Sequence, residues 1–192
     1  MYATLGHELP RGAQWTFEPK YDGMRVIADV SARQVRLVTR NGKDKSGQFP
    51  EVVLALRELA RRAGRPLVLD GEVVSRPRRG GRIQAAASGF QQLQARMHLQ
   101  DADEILRLAI EAPTSLVVFD FLRDGRTSLM AHPLVDRRER LDDLFDAAGD
   151  PDDATLRASD RSARGERDGR GSSPSGSTRS ISPARAPRGG SS

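Results

Sequence analysis

Short β-type patterns and amphipathic helical ones follow each other along the first three quarters of the chain. Trp15 to Lys20 and Met24 to Ser31 read as strands, and Val35, Leu37 and Thr39 alternate with polar residues from Gln34 to Arg40. Ser31–Ala32–Arg33 fits a hairpin loop, and Asn41–Gly42 ends the third strand in a turn. These three strands predict an antiparallel meander. From Phe49 to Ala63 the apolar positions Val52, Val53, Leu56, Leu59 and Ala60 follow helical spacing, and Gly64 suits the stop. Pro66 to Ser75 is apolar and β-rich, with Asp70–Gly71 interrupting it. Gly89 to Met97 and Asp101 to Ile110 read as short helices, and Ser115 to Leu122 as a buried-type strand before the Asp124–Gly125 turn. Asp136 to Phe145 is a charged amphipathic helix with Leu141, Leu144 and Phe145 inward. Strands and helices do not alternate regularly, which predicts an α+β fold with mostly antiparallel sheets rather than a doubly wound one.

The pattern stops near residue 150. From Pro151 to Ser192 the chain has ten Ser, eight Arg, six Gly and four Pro, no aromatic, and only Leu156 and Ile181 as large aliphatic residues. Such a stretch buries too little apolar surface to offset its ordering entropy. The expected organisation is a folded region over 1–148 and a disordered Arg/Ser/Gly/Pro-rich tail over 149–192. From Pro151 onward eight Arg and five acids give +3, leaving +2 of the total +5 for residues 1–150. The basic balance therefore points only weakly to nucleic acid. There is no cysteine, which excludes disulfides and thiolate metal sites. No apolar run approaches the ~20 residues that span a bilayer, and Met1 to Pro10 lacks the basic start and apolar core of a secretory signal. A cytoplasmic protein with no membrane partner is expected. His7, His98 and His132 show no metal-ligand spacing.

Of the 31 basic residues only Lys20, Lys43 and Lys45 are lysines. A lysine kept in so arginine-rich a chain suggests chemistry that arginine cannot do. Lys20 stands in Glu18–Pro19–Lys20–Tyr21–Asp22–Gly23–Met24–Arg25, where one strand gives way to the next. Lysine is a nucleophile only when neutral, and an ordinary one with pKa ~10.4 is neutral in fewer than about one molecule in a thousand at pH 7. Nearby cations or desolvation must assist it, whereas arginine does not deprotonate. From these residues alone, a plain surface pair of Lys20 and Asp22 at a turn is an equally open reading.

The cluster resembles the nucleotidyl-lysine motif of the covalent nucleotidyltransferases, the DNA ligases, RNA ligases and mRNA capping enzymes. Further matches follow in order: Thr39–Arg40–Asn41–Gly42, then Asp70–Gly71–Glu72, then Phe119–Asp120–Phe121–Leu122. Gly89 to Met97 and the Arg137–Arg138 helix are similar to connecting segments of bacterial ATP-dependent DNA ligases. The resemblance implies a partial ATP-grasp-like nucleotidyltransferase domain. It makes Lys20 the nucleophile toward the α-phosphate of ATP, and has Glu18 recognise the adenine edge. Arg25 and Arg40 would hold ribose and phosphate. Glu72 would bind the ribose hydroxyls beside a Mg²⁺ ion, and Phe119 would stack on the base. ATP and nicked double-stranded DNA become the expected partners, and a monomer the expected state. The loop cations Arg76, Arg78, Arg79 and Arg82 would suit DNA phosphates and equally suit a solvated loop.

The family's later E-G-[VI]-[VM]-x-K motif and its two-lysine motif have no match after Phe145, and no lysine follows Lys45. This predicts a truncated ligase domain, weak or inactive alone, with the Ser115 to Leu122 strand left uncovered. Two alternatives stand beside it: a non-catalytic remnant that binds ATP or nucleic acid, and an RNA ligase or capping-type nucleotidyltransferase.

Overall fold

A computed structural model describes residues 15–76, 87–149, 155–159 and 181–183. The chain divides into two units, Met1–Lys20 with Ser159–Ser192, and Tyr21–Ala158. In the first, β1 (Trp15–Phe17) pairs antiparallel with β8 (Ile181–Pro183), in the register Trp15↔Pro183 and Phe17↔Ile181. The expected three-strand meander is therefore corrected. β1 is not hydrogen-bonded to the next strand but belongs to its own two-stranded sheet.

The second unit is built on one six-stranded sheet. Its elements are β2 (Met24–Val30), β3 (Val35–Thr39), α1 (Pro50–Ala63), β4 (Leu67–Ser75), α2 (Ala87–Met97), α3 (Ala102–Glu111), β5 (Thr114–Asp124), β6 (Thr127–Ser128), α4 (Leu134–Ala148) and β7 (Leu156–Ala158). The strand order is β3-β2-β4-β5-β6, all antiparallel, with β7 parallel to β5. The fold is α+β.

Local chemistry explains the element ends. The β2–β3 hairpin closes where the Ser31 N–H donates to the Gln34 carbonyl at 2.7 Å. Gly42 takes the left-handed conformation (φ 73°) and donates to the Thr39 carbonyl at 2.8 Å, so the chain turns back along β3. α1 starts on Pro50, which has no N–H to leave unpaired, and stops at left-handed Gly64. Asp101 caps α3 by accepting the Glu104 N–H at 2.8 Å.

On β2, Met24, Val26, Ala28 and Val30 are buried, while Arg25 and Asp29 between them are exposed. The buried set joins Leu69 and Val73 of β4, Leu116, Val118 and Phe121 of β5, and Val52, Leu56 and Leu59 of α1. Leu141 and Leu144 of α4 complete one core. On β2 the period of two gives one core face and a second, more polar and exposed face.

Three expectations change. Asp70–Gly71 does not break the strand; both residues lie inside β4. β5 is not uncovered, since β6 pairs at Arg123–Asp124 and β7 at Leu116–Val118. The tail expected over 149–192 has structure at two places, β7 and β8. Leu156 is 1% exposed, and the Thr155 carbonyl accepts the Leu116 N–H at 2.8 Å. Thr155 and Ser159 beside β7 are also buried, and Ala158 packs against the core.

Candidate functional site

The polar face of the central strands carries most of the residues singled out by sequence. Arg25 of β2 lies directly opposite Glu72 of β4, and Ile27 opposite Asp70. β4 and β5 then pair Asp70 with Asp120 but Gly71 with Val118, so Phe119 is an extra residue on β5. That irregularity re-aims Phe119 off the core, while Phe121 two residues on is fully buried. Gly71 permits the close approach of the two strands: a Cβ there would lie 2.7 Å from the Val117 carbonyl oxygen.

Two bidentate ion pairs organise this face. Arg25 donates through Nε and Nη2 to the two carboxylate oxygens of Asp70 at 3.0 and 2.7 Å. Its guanidinium carbon sits 5.2 Å from the centre of the Phe119 ring. On the other side Arg137 of α4 donates to both oxygens of Asp120 at 2.8 and 2.7 Å, and to the His132 carbonyl at 2.7 Å. Each arginine is held more firmly protonated than usual, chiefly by its carboxylate hydrogen bonds, with burial opposing.

Gly23 ties the loop before β2 to the same face. Its N–H donates to Glu72 Oε1 at 3.0 Å. A Cβ on Gly23 would lie 2.2 Å from the Val73 carbonyl oxygen, so the glycine of the Lys-Tyr-Asp-Gly run is required by close contact with β4. Tyr21 of that run packs its ring under the Arg157 guanidinium of β7, 5.6 Å away.

Arg25, Glu72 and Phe119 are thus brought together on one sheet face. Arg40 is exposed at the corner of the turn after β3. Exposed Lys20 and half-buried Glu18 belong to the other unit. Arg76 is described and bonds the Thr155 hydroxyl, whereas Arg78, Arg79, Arg82 and His7 lie outside the described residues. Among the described residues no group of three or more His, Cys, Asp or Glu side chains is arranged to hold a metal. Asp70 and Asp120 are engaged by arginines, and Glu72 accepts the Gly23 N–H.

Sequence reasoning assigned no role to Asp70, Asp120 or Arg137. A signal was present: each aspartate interrupts an apolar strand run, in Leu67–Val74 and Leu116–Leu122, where an unpaired carboxylate is costly.

The family described as "ATP dependent DNA ligase domain" matches residues 6–163. The chain belongs to that family. Its relatives include the bifunctional non-homologous end joining protein LigD of Bacillus subtilis, 32% identical over 77% of this chain and 24% of the relative. DNA ligase C1 of Mycolicibacterium smegmatis is 38% identical over 69% of this chain and 36% of the relative. Among solved structures, a mycobacterial DNA ligase D complexed with ATP and MES superposes with a TM-score of 0.52 at 25% identity. That match covers 77% of this chain and 40% of the other. The chain therefore spans between about a quarter and two fifths of the length of these relatives. Among its described residues no helix is long and apolar enough to cross a membrane.

Proposed function

We propose that this chain carries the first step of DNA ligation, transfer of AMP from ATP to Lys20. The observation that carries the reading is the Gly23–Glu72 hydrogen bond. It ties Gly23, three residues after Lys20 in the motif, to the face that holds Arg25 and Phe119. An extended chain covers at most about 3.6 Å per residue, so the Lys20 and Gly23 Cα atoms are within about 11 Å of each other.

In this reading the neutral Lys20 amine attacks the α-phosphorus of ATP. An N–P bond forms, the bond from that phosphorus to the bridging oxygen breaks, and pyrophosphate leaves with the electron pair. The amine gives up its proton to solvent. Phe119 supplies the face on which adenine stacks, and Glu18 reads the base edge. Arg25 and Arg40 serve ribose and phosphate, since arginine suits such oxygens. Glu72 serves the ribose hydroxyls, and its carboxylate would help to hold a Mg²⁺ ion accompanying ATP. The metal would neutralise charge on the ATP phosphates. The AMP so stored is destined for the 5′-phosphate at a nick in duplex DNA, by a monomer in the cytoplasm.

Incubation with ATP labelled at the α-phosphate, followed by denaturing electrophoresis, tests this. Label is expected on the wild-type chain and none on Lys20→Arg, which keeps the charge but not a neutral amine. Label that persists on Lys20→Arg would show that another residue is the nucleophile.

A further inference from the structure

Asp70 and Asp120 face each other across β4 and β5. Like charges directly opposite in an antiparallel pair repel, yet both carboxylates here are largely shielded from water, with side chains 9% and 15% exposed. Two arginines resolve the conflict from opposite flanks. The line Arg25–Asp70–Asp120–Arg137 has a guanidinium at each end, so that each carboxylate has its own.

The two ends of that line differ. Arg25 is half exposed and sits on the Phe119 ring. Arg137 is 16% exposed and reaches no other residue of the candidate site directly. Its partner Asp120 is the residue after Phe119, and Asp120 Oδ1 also accepts the Phe121 N–H at 2.8 Å. That bond folds the Asp120 carboxylate back along its own strand, at the point where β5 departs from regular pairing. Arg137 is fixed in turn by the His132 carbonyl, and His132 by the Leu129 carbonyl at 2.9 Å.

We infer that Arg137 is a positioning residue for the base platform: by clamping Asp120 it fixes the irregular stretch of β5 that turns Phe119 toward the nucleotide. The inference rests on the reading of Phe119 as the adenine-stacking residue. Arg137 acts here only through Asp120. Its loss frees the Asp120 carboxylate to leave the Phe121 N–H, and also leaves Asp120 unbalanced against Asp70. Phe119 then loses its fixed angle, while groups that serve the phosphates stay where they are.

The test is equilibrium binding to the full 192-residue chain, with ATP and with inorganic tripolyphosphate as probes. Tripolyphosphate offers phosphate contacts and no base. Arg137→Leu is expected to weaken ATP binding about tenfold, the scale of one base–aromatic stack, and to leave tripolyphosphate within about twofold. A purely structural role would weaken both probes alike. Asp120→Asn should weaken ATP similarly, and Arg137→Leu with Asp120→Asn should be no worse than Asp120→Asn alone, because the two act as one unit. Should Arg137→Leu fail to fold, Arg137→Lys keeps the charge without the two-pronged grip, and an intermediate loss of ATP affinity is expected. Wild-type ATP affinity in both Arg137 variants, or equal losses for the two probes, would overturn the inference. Labelling of Lys20 is read separately. Label with unchanged affinities sinks the positioning role alone, weaker ATP binding without label sinks the proposed reaction alone, and a wild-type chain that binds no ATP sinks both.

Discussion

The two faces of the six-stranded sheet come from the same strands and have opposite characters. On one, Met24, Val26, Ala28, Leu69, Val73, Leu116, Val118 and Phe121 join the helices in a single core. On the other, alternate residues of the same strands give Arg25, Asp70, Glu72 and Asp120, tied by charge-assisted hydrogen bonds. The apolar face is indifferent to direction, because burial stabilises in proportion to area. The polar face depends on geometry, since each carboxylate is tolerated there only with its partner in place. The irregularity at Phe119 sits on the strand where the faces meet. Folding and chemistry are therefore assigned to opposite sides of single strands, one residue apart.

Substitutions on opposite faces of β4 should separate these roles most widely. Leu69 is 0% exposed, and Leu69→Ala is expected to cost about 2–5 kcal/mol in chemical denaturation. Glu72→Gln, three residues on, should change stability by less than about 1 kcal/mol while labelling by ATP falls at least about tenfold. Unfolding of Glu72→Gln would erase the division between the faces.

Gly23 holds the loop before β2 against β4 and should give the next largest effect. Gly23→Ala forces a Cβ against the Val73 carbonyl and is expected to cost about 1–3 kcal/mol in thermal denaturation, with labelling reduced as well. A variant of wild-type stability would mean that the loop does not pack closely on β4.

The smallest effect contrasts this site with an ordinary surface cluster. Hydrogen bonds from Arg61 and Arg62 hold the Glu58 carboxyl down at about 2, against an ordinary 4.5. A lowered folded-state pKa stabilises above the unfolded value and is lost as pH falls toward the folded one. The melting-temperature difference between wild type and Glu58→Gln should thus be present at pH 7, shrink below pH 4.5 and vanish near pH 2. Salt should diminish it too. A gap that widens on acidification would reverse the sign.

Elements with local causes were legible in the sequence. α1 follows from Val52, Leu56 and Leu59 at helical spacing, with Pro50 and Gly64 at its ends. The hairpin of β2 and β3 and the turn at Gly42 were equally plain. What misled was a local signal overruled from afar. Asp70–Gly71 is a turn dipeptide by composition, yet Asp70 is satisfied by Arg25, 45 residues away, and Gly71 admits the Val117 carbonyl. β7 forms where Leu156–Ala158 meets the edge of β5, far away in sequence. The motif residues were recognisable as a set, but the Asp120–Arg137 clamp joins two segments that the sequence presents only as an apolar strand and a charged helix. No pattern in either segment reports the other.

Phe119 and Phe121 stand two apart on β5, one half-buried on the site face and one at 0% exposure in the core. Replacing each with alanine, then measuring denaturation and ATP-dependent labelling on the same preparations, tests the two-faced sheet most directly. Phe121→Ala should lose about 3–5 kcal/mol of stability, with labelling per folded molecule close to wild type. Phe119→Ala should lose at most about 1 kcal/mol and at least about tenfold in labelling at low ATP. If Phe119→Ala instead destabilises the chain as Phe121→Ala does and its folded fraction labels like wild type, Phe119 is a core residue and the polar face is not the nucleotide site.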